Sequence, residues 1–320
     1  MMEDMEQDLR DSLRALMGSR SFLDAETLFD SGWDEVLEES PRLAVRTLFE
    51  EAGRGAVATA GLDVLISLAL APEREVLRVL AVQSRSLEGV DEDGVVMVER
   101  AVVTTDPDVV VIVDRRGADV VGAAEVEPGT GWTVEQVAGA DTDSRLRLLS
   151  GRGRIRRRLS APETEAMDRM VLLALSHERC GAARGLLDVA VGHVRERHQF
   201  GVPIGSLQAV QHRLAGVEVA VEAALSSLDA AWDTDDEVAT LVAVAASARA
   251  LSEAVRDCLQ VCGGMGFTDE FPLARLMRRA VVLEGSGPST RDAETAIGRR
   301  LVESGVVRIG EIDRPTEGQA

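Results

Sequence analysis

Two stretches decide the fold: RERHQFGVPIGSLQAVQH at residues 195–212 and QVCGGMGFTDEFPLARLMRRA at residues 260–280. In each, apolar residues at three- and four-residue spacing meet a turn made of Gly and Pro. The first stretch predicts that one long helix runs through its basic residues to Phe200 and that the next begins at Ser206. The second predicts a helix closed by the glycine pair Gly263–Gly264 and a shorter helix after the TDEFP turn. Both turns suit a bundle of antiparallel helices.

Outward from these turns, helical spacing extends through APETEAM at the start of a long helix, through DEVATLVAVAASARALSEAVRD, and through STRDAETAIGRRLVES near the end. Upstream, the β-branched runs GVVMVERAVV, PDVVVIVD, ADVVGAAEV, GWTVEQV and RLRLL alternate with Gly, Asp and Pro turns. We therefore predict a mainly α fold with a small β domain. It comprises N-terminal helices at 1–72, a β-barrel or sandwich at 73–160, a four-helix bundle at 161–310, and a disordered tail at 311–320.

Composition narrows the possible partners. The chain has 320 residues, a formal net charge of −20 and three cysteines. An acidic surface repels nucleic acid and anionic lipid, so neither is expected as a partner. Three cysteines make no disulfide framework, and the acidic start MMEDMEQDLRD has no apolar signal segment. We expect a cytoplasmic location, since the apolar run Val64 to Ala71 is too short to span a bilayer.

Two features of the deciding stretches allow a binding or a structural interpretation. Arg197 can offer a bidentate guanidinium to a phosphate, or it can cap the carbonyls at the end of its helix. Gly263 and Gly264 can let backbone N–H groups approach an anion, or they can form an ordinary helix C-cap. Taken singly, neither feature decides between the two. His198 and His212 are expected to pack at the surface.

The order and spacing of these stretches resemble the C-terminal bundle of the acyl-CoA dehydrogenase family over residues 165 to 303. The β segment resembles that family's middle domain more loosely, and the N-terminal helices are shorter than the family's. The resemblance implies an FAD enzyme that removes two hydrogens from an acyl-CoA thioester: a glutamate takes the α-proton while FAD takes the β-hydride. It also implies assembly as dimers or tetramers, with an electron-transfer flavoprotein as electron acceptor.

In this family each FAD lies between two subunits, and the resemblance assigns one side of such a site to this chain. One subunit grips the flavin ring while its neighbour holds the pyrophosphate and adenine. The neighbour's contacts fall here on Arg197, Gln199, Phe200, Gln208, Gln260, Gly263 and Gly264.

The other side of the site departs from the family pattern. The family's catalytic glutamate falls on Gly287, which cannot take a proton, so no catalytic base is expected. Glu284 is the fallback base if three residues are deleted before it. The alternative base position on the first bundle helix falls on Val171, and nearby Glu178 is expected to be structural, paired with Arg179 or Arg184. The Thr-Glu-Pro and Gly-Ser-Asp element that binds the flavin ring is missing between Leu70 and Val102. Trp132 lies too late to stack on the flavin.

Three functions remain open. The chain resembles the partner subunit of heterotetrameric, steroid-type acyl-CoA dehydrogenases of actinobacteria, in which one subunit type carries the base and the other completes the FAD site. The pocket there is wide enough for a steroid side chain. It could instead be a self-sufficient dehydrogenase that uses Glu284. The third alternative is a non-enzymatic member that binds flavin, acyl-CoA or a protein.

Overall fold

The structure is a computed structural model that describes residues 2–18, 20–70, 78–83, 94–103, 109–129, 131–137, 141, 143 and 145–305. It confirms the predicted fold class: mostly helices, with one small sheet between two helical regions. The predicted tail at 311–320 lies outside the described residues. The division of the chain into domains stays a prediction.

Five helices form the C-terminal bundle. They are α6 (Ala161–Glu196), α7 (Gln208–Thr234), α8 (Glu237–Cys262), α9 (Leu273–Glu284) and α10 (Thr290–Glu303). Ser160 begins α6 through a capping box with Glu163, and Ser289 begins α10 in the same way with Asp292. Gly263 ends α8, as the sequence predicts.

Two predicted helix ends are wrong by a few residues. The first helix stops at Glu196, and His198 and Gln199 pair with Val202 and Pro203 in a small antiparallel hairpin. Ser206 does not cap the second helix, because its hydroxyl donates to the Pro203 carbonyl at 2.7 Å. Ser206 ends a short 3₁₀ turn, and α7 begins two residues later without a side-chain cap. The Gly-Pro turn is therefore longer than its residue types indicate.

The N-terminal helices pack on α6. They are α1 (Met2–Met17), α2 (Ala25–Asp30), α3 (Trp33–Glu39), α4 (Pro41–Gly55) and α5 (Gly61–Leu70), with strands β1 (Phe22–Leu23) and β2 (Ala58–Thr59) between them. Helices α4 and α6 approach so closely that their backbones touch. A Cβ added to Gly53 would lie 2.2 Å from the Glu178 carbonyl oxygen, and one added to Gly181 would lie 2.1 Å from that of Glu50. These glycines fix the position of α6.

The sheet has the strand order β3-β5-β6-β8-β4, with β7 paired to β8. Its strands are β3 (Arg78–Gln83), β4 (Val95–Val103), β5 (Val109–Arg116), β6 (Asp119–Pro128), β7 (Thr133–Gln136) and β8 (Arg147–Arg158). Within the described part of this sheet, only β3 and β5 pair in parallel. The sequence prediction missed β3, which has just two β-branched residues, and it ended β8 too early. The hairpin strands β9 (His198–Gln199) and β10 (Val202–Pro203) stand apart in the bundle.

The turn between β5 and β6 fastens the sheet to the bundle. Ala118 is buried against Leu172 of α6 and against residues of α8 and α10. Arg115 is paired with Asp168 of α6, and Asp119 accepts hydrogen bonds from Arg299 and Arg300 at 2.6 and 2.9 Å. The sheet is thus held beside the N-terminal third of α6 and along α10.

One helical stretch of the described chain, Glu237–Phe267, is long and apolar enough to cross a membrane by length and composition. Of its most apolar window, 44% is buried inside the protein. Helix α8 packs against α6, α7 and α10, as the core helix of a bundle does.

Candidate functional site

The seven residues predicted to hold the cofactor meet at one end of the bundle. Helix α7 runs back from the end of α6, and α8 runs back from the end of α7, so the end of α6, the start of α7 and the end of α8 coincide. Two contacts hold this end together. Arg213 of α7 is 2.6 Å from Asp257 of α8, and the ring of His193 lies edge-on to Phe271, with ring centroids 5.4 Å apart. We call the surface formed by residues 197–208 and 260–268 the distal face.

The hairpin of the distal face presents an aromatic ring to solvent in a costly backbone conformation. Phe200 is 91% exposed, and its φ of 54° lies in the left-handed region, followed by Gly201 at 79°. A bulky residue in that region costs about 1 kcal/mol or more. No contact inside the described chain offsets this cost by burying the ring, so the conformation suits a surface that meets another molecule.

Arg197 and three glutamines of the distal face have no side-chain partner among the described residues. Arg197 is exposed and has no carboxylate within 4 Å among the described residues, whereas most arginines of the bundle are paired. Its backbone is used instead: the Arg197 carbonyl accepts from the Ile204 N–H at 2.8 Å, which closes the hairpin. Gln199, Gln208 and Gln260 are exposed too, and within the described chain their amides make no hydrogen bond. The result is one cation and three amides available to a ligand.

Glycines give the distal face an open stretch of backbone. Gly263 has φ 61° and ψ −146°, a conformation that favours glycine. A Cβ added at Gly263 or Gly264 would meet nothing within 4 Å, so a ligand could approach this backbone closely. The next residues form a short 3₁₀ helix, Gly263–Phe267, in which Phe267 is 76% exposed. The sequence analysis did not name this second ring among the candidate site residues.

The unpaired cation affects its neighbourhood. Partial burial, and then the positive charge of Arg197, lower the pKa of His193 one turn earlier on α6. His198 is exposed, its Nδ1 lying 2.9 Å from the Glu196 carbonyl, and His212 is exposed on the first turn of α7. Both histidines lie at the surface.

The predicted base position lies in the α9–α10 loop, Gly285–Ser289, and is built differently. The φ of Gly287 is +77°, and a Cβ added there would point inward, 3.3 Å from Leu175 and 3.8 Å from Nη2 of Arg179. Arg179 is 1% exposed. Its Nε and Nη2 donate to the Leu283 carbonyl at 3.3 and 3.2 Å, and Nη2 also donates to the Ser286 carbonyl. A cation therefore stands beside the place where the family has a carboxylate.

Glu284, the fallback base, lies on the outer side of this loop. It is exposed and accepts a hydrogen bond from Ser252 at 3.1 Å. It lines a cleft of about 220 Å³ together with Arg179, Ala248, Leu251, Ser252, Pro288, Ser289 and Thr290. The carboxylate faces water and α8.

The structure corrects the partner of Glu178. This buried carboxylate bonds to Arg279 of α9, at 2.9 Å from Nε, with Asp141 near the same guanidinium. It bonds neither to Arg179, which is bound to carbonyls, nor to Arg184, which pairs with Glu222. Glu178 is structural as predicted, but it joins α6 to α9.

The remaining predicted positions carry no acid or base. Val171 is buried among apolar side chains. Trp132 packs on the sheet, where its indole N–H donates to the Arg152 carbonyl at 2.7 Å. Much of the segment where the flavin-ring element was sought, between Leu70 and Val102, lies outside the described residues. Cys180, Cys258 and Cys262 are buried and unpaired, and burial raises the pKa of Cys258 to about 12 and that of Cys262 to about 11.

Sequence comparison places the bundle among known proteins. A family model described as acyl-CoA dehydrogenase, C-terminal domain, matches residues 166–301. Acyl-CoA dehydrogenase FadE34 of Mycobacterium tuberculosis is 37% identical over 134 residues, which make up 38% of this chain and 19% of that protein. Acyl-CoA dehydrogenase IpdE2 of the same organism is 34% identical over 185 residues, 55% of this chain and 54% of that protein. The matched region is thus less than two thirds of either relative.

Structural comparison extends over nearly the whole chain. A chain of the Tcur3481-Tcur3483 steroid ACAD G363A variant superposes with a TM-score of 0.76 at 19% identity, covering 96% of this chain and 100% of that one. For the ChsE4-ChsE5 complex from Mycobacterium tuberculosis the TM-score is 0.72 at 18% identity, with 93% and 97% covered. For a glutaryl-CoA dehydrogenase from Mycobacterium smegmatis in complex with FADH2 it is 0.72 at 13% identity, with 93% and 94% covered. These likenesses establish the fold.

Proposed function

The chain belongs to the acyl-CoA dehydrogenase family through residues 166–301, and we propose that it is the partner subunit of a two-component dehydrogenase. It supplies the distal face to an FAD held by a second family member, and that second chain carries the catalytic base. The enzyme is the complex, and this chain alone has no catalytic residue.

One contrast carries the proposal. The residues that would hold the outer half of an FAD are exposed and unpaired, whereas the position of the base is a glycine beside a buried arginine. A chain that worked alone would need both halves. The distal face fits the cofactor, because a free guanidinium, free amides and an open glycine backbone match a pyrophosphate and an adenine. The loop around Gly287 does not fit proton abstraction.

Each residue of the distal face has a role in this proposal. Arg197 binds a phosphate by charge-assisted hydrogen bonds, and the backbone at Gly263 and Gly264 lies against the adenosine half. Gln199, Gln208 and Gln260 donate or accept at polar edges, while Phe200 excludes water. FAD, when bound between the subunits, accepts the hydride that leaves the acyl chain. This chain therefore binds and orients, and it moves no proton.

The names of two structural neighbours support a heteromer. Tcur3481-Tcur3483 and ChsE4-ChsE5 each join two components, and the first is called a steroid ACAD. A chain of that steroid enzyme is covered along its whole length by this one. We extend the proposal to a bulky acyl-CoA, such as a steroid side-chain ester, with a heterotetramer as the assembly and an electron-transfer flavoprotein as acceptor.

Co-expression with a family member that keeps the glutamate tests the function. The chain made alone is expected to be colourless, and the co-purified complex is expected to be yellow and to lose its colour with acyl-CoA. In the complex, Arg197→Gln should weaken FAD retention by about 10-fold or more, the effect of losing one charge-assisted hydrogen bond. The matched control is Arg195→Gln, which removes an exposed, unpaired charge two residues away.

Two outcomes would count against the proposal. Equal flavin loss in Arg195→Gln and Arg197→Gln would mean that only net charge matters at the distal face. A yellow, active preparation of this chain alone would favour the second candidate, a self-sufficient enzyme that uses Glu284, whose support is its position on a cleft. Glu284→Gln separates the two: it should abolish activity in the self-sufficient enzyme and leave the complex active.

A further inference from the structure

Arg179 fills the space that a side chain at residue 287 would enter. A Cβ added to Gly287 would point into the protein, where it would lie 3.9 Å from Leu172, 3.3 Å from Leu175 and 3.8 Å from Nη2 of Arg179. The two leucines are buried, and Leu172 is covered by Ala118 from the sheet. Of these three neighbours, only Arg179 offers a polar group to a side chain at residue 287.

The charge of Arg179 has no counter-ion in the described part of the chain. No carboxylate lies within 4 Å, because neighbouring Glu178 is bound to Arg279 and Glu284 faces α8. Only the carbonyls of Leu283 and Ser286 accept its hydrogen bonds. Burial accordingly lowers the pKa of Arg179 to about 10. A buried cation held only by carbonyls binds an approaching carboxylate strongly.

We propose that Arg179 is an internal plug that closes this chain's own copy of the reaction pocket. Its guanidinium ties the end of α9 and the start of the α9–α10 loop to α6. It captures any carboxylate placed at residue 287 as an ion-pair partner, so that carboxylate cannot serve as a base. Arg179 is a positioning residue, and it determines which subunit of the pair has an open pocket. The claim that a reaction pocket is closed rests on the proposed function. The ion pair between Arg179 and a carboxylate at residue 287 does not depend on it.

The test introduces the family's glutamate and isolates its charge. Gly287→Glu and Gly287→Gln both place a side chain at φ +77° and carry the same strain and bulk. They differ in charge alone, so the difference between their melting temperatures reports the capture by Arg179. The full-length chain is used, and neither flavin nor partner is needed.

We expect Gly287→Glu to melt above Gly287→Gln at pH 8, by roughly 2–4 °C for each kcal/mol of ion pairing. Pairing lowers the pKa of the new carboxyl in the folded state, so this advantage is full above the unfolded pKa and disappears as the pH falls through the folded one. In an Arg179→Gln background the order should reverse, because the carboxylate would then be buried without a partner. Arg179→Lys should keep part of the advantage.

One result would contradict the capture of the carboxylate by Arg179. If Gly287→Glu melts below Gly287→Gln at pH 8 and the gap closes on acidification, the carboxylate is not captured and the proposal is wrong. That comparison is made with Arg179 intact, so it stands even if every Arg179 variant fails to fold. The melting experiments involve no cofactor. They can therefore contradict the role of Arg179 while the co-expression experiment supports the proposed function, and the reverse also holds.

Discussion

The distal face and the surroundings of the α9–α10 loop both combine an arginine of α6 or its C-cap with glycine, and they use these residues in opposite ways. At the distal face Arg197 is exposed and unpaired, and Gly263 and Gly264 have open space in front of them. At the loop Arg179 is buried and bound to carbonyls, and Gly287 faces a filled interior. Residues without internal partners indicate a surface completed by another molecule, whereas the loop is already complete. The comparison supports the proposal that this chain keeps one half of a site shared with a second subunit.

Helix α6 connects the two regions. Disrupting its packing against α4 should give the largest change in the free energy of unfolding. A Cβ at Gly181 would lie 2.1 Å from the Glu50 carbonyl oxygen, so Gly181→Ala must push α4 away. We expect a loss of about 3 kcal/mol or more in the free energy of unfolding. Gly192→Ala on the same helix meets nothing within 4 Å and should gain about 0.5–1 kcal/mol. Denaturant unfolding measures both, and equal losses would show that helix propensity alone is at work.

A smaller change in the free energy of unfolding distinguishes Glu178 from Glu284, the two carboxylates near the loop. Glu178→Gln leaves Arg279 without its buried counter-ion and should cost about 3 kcal/mol, with Asp141 offsetting part of the loss. Glu284→Gln changes an exposed group and should stay within about 0.5 kcal/mol. Urea denaturation of the two variants decides. A large loss for Glu284→Gln would mean that this carboxylate is part of the loop's internal bonding.

The smallest effect tests whether Arg197 is free. Burial and Arg197 lower the pKa of His193, so Arg197→Gln should raise that pKa, and NMR titration of the imidazole measures the shift. A lowered pKa in the folded state gives stability that is present above the unfolded pKa and lost as the pH falls. The variant should therefore lose less stability on acidification. An unchanged His193 pKa would place a neutralising partner at Arg197 in solution.

Local sequence rules predicted the helices and five of the six strands of the main sheet, because periodicity and turn residues act within a few positions. The end of α8 at Gly263 is such a case, since a glycine with positive φ ends a helix wherever the helix packs. The strand β3 was missed because it contains few β-branched residues and is fixed by pairing with β5, which follows more than twenty residues later.

The site was predictable where it depends on residue type and spacing, and not where it depends on tertiary contacts. The residues of the distal face follow one another in short motifs, so the sequence could name them together. The partner of Glu178 is 101 residues away, and no local pattern distinguishes Arg279 from Arg179 or Arg184. The role of Arg179 depends on where a glycine 108 positions later points. Only a folded chain shows that proximity.

Phe200 and Phe267 make an unassembled copy of this chain vulnerable in the cell. Two aromatic rings left in water promote self-association, and misassembled chains are removed by proteases. With a partner covering these rings, the amount of surviving protein follows the rarer of the two subunits, whatever the rate of translation of the other. The exposed rings would then require that the two subunits be synthesised in equal amounts, as from neighbouring genes in one transcript.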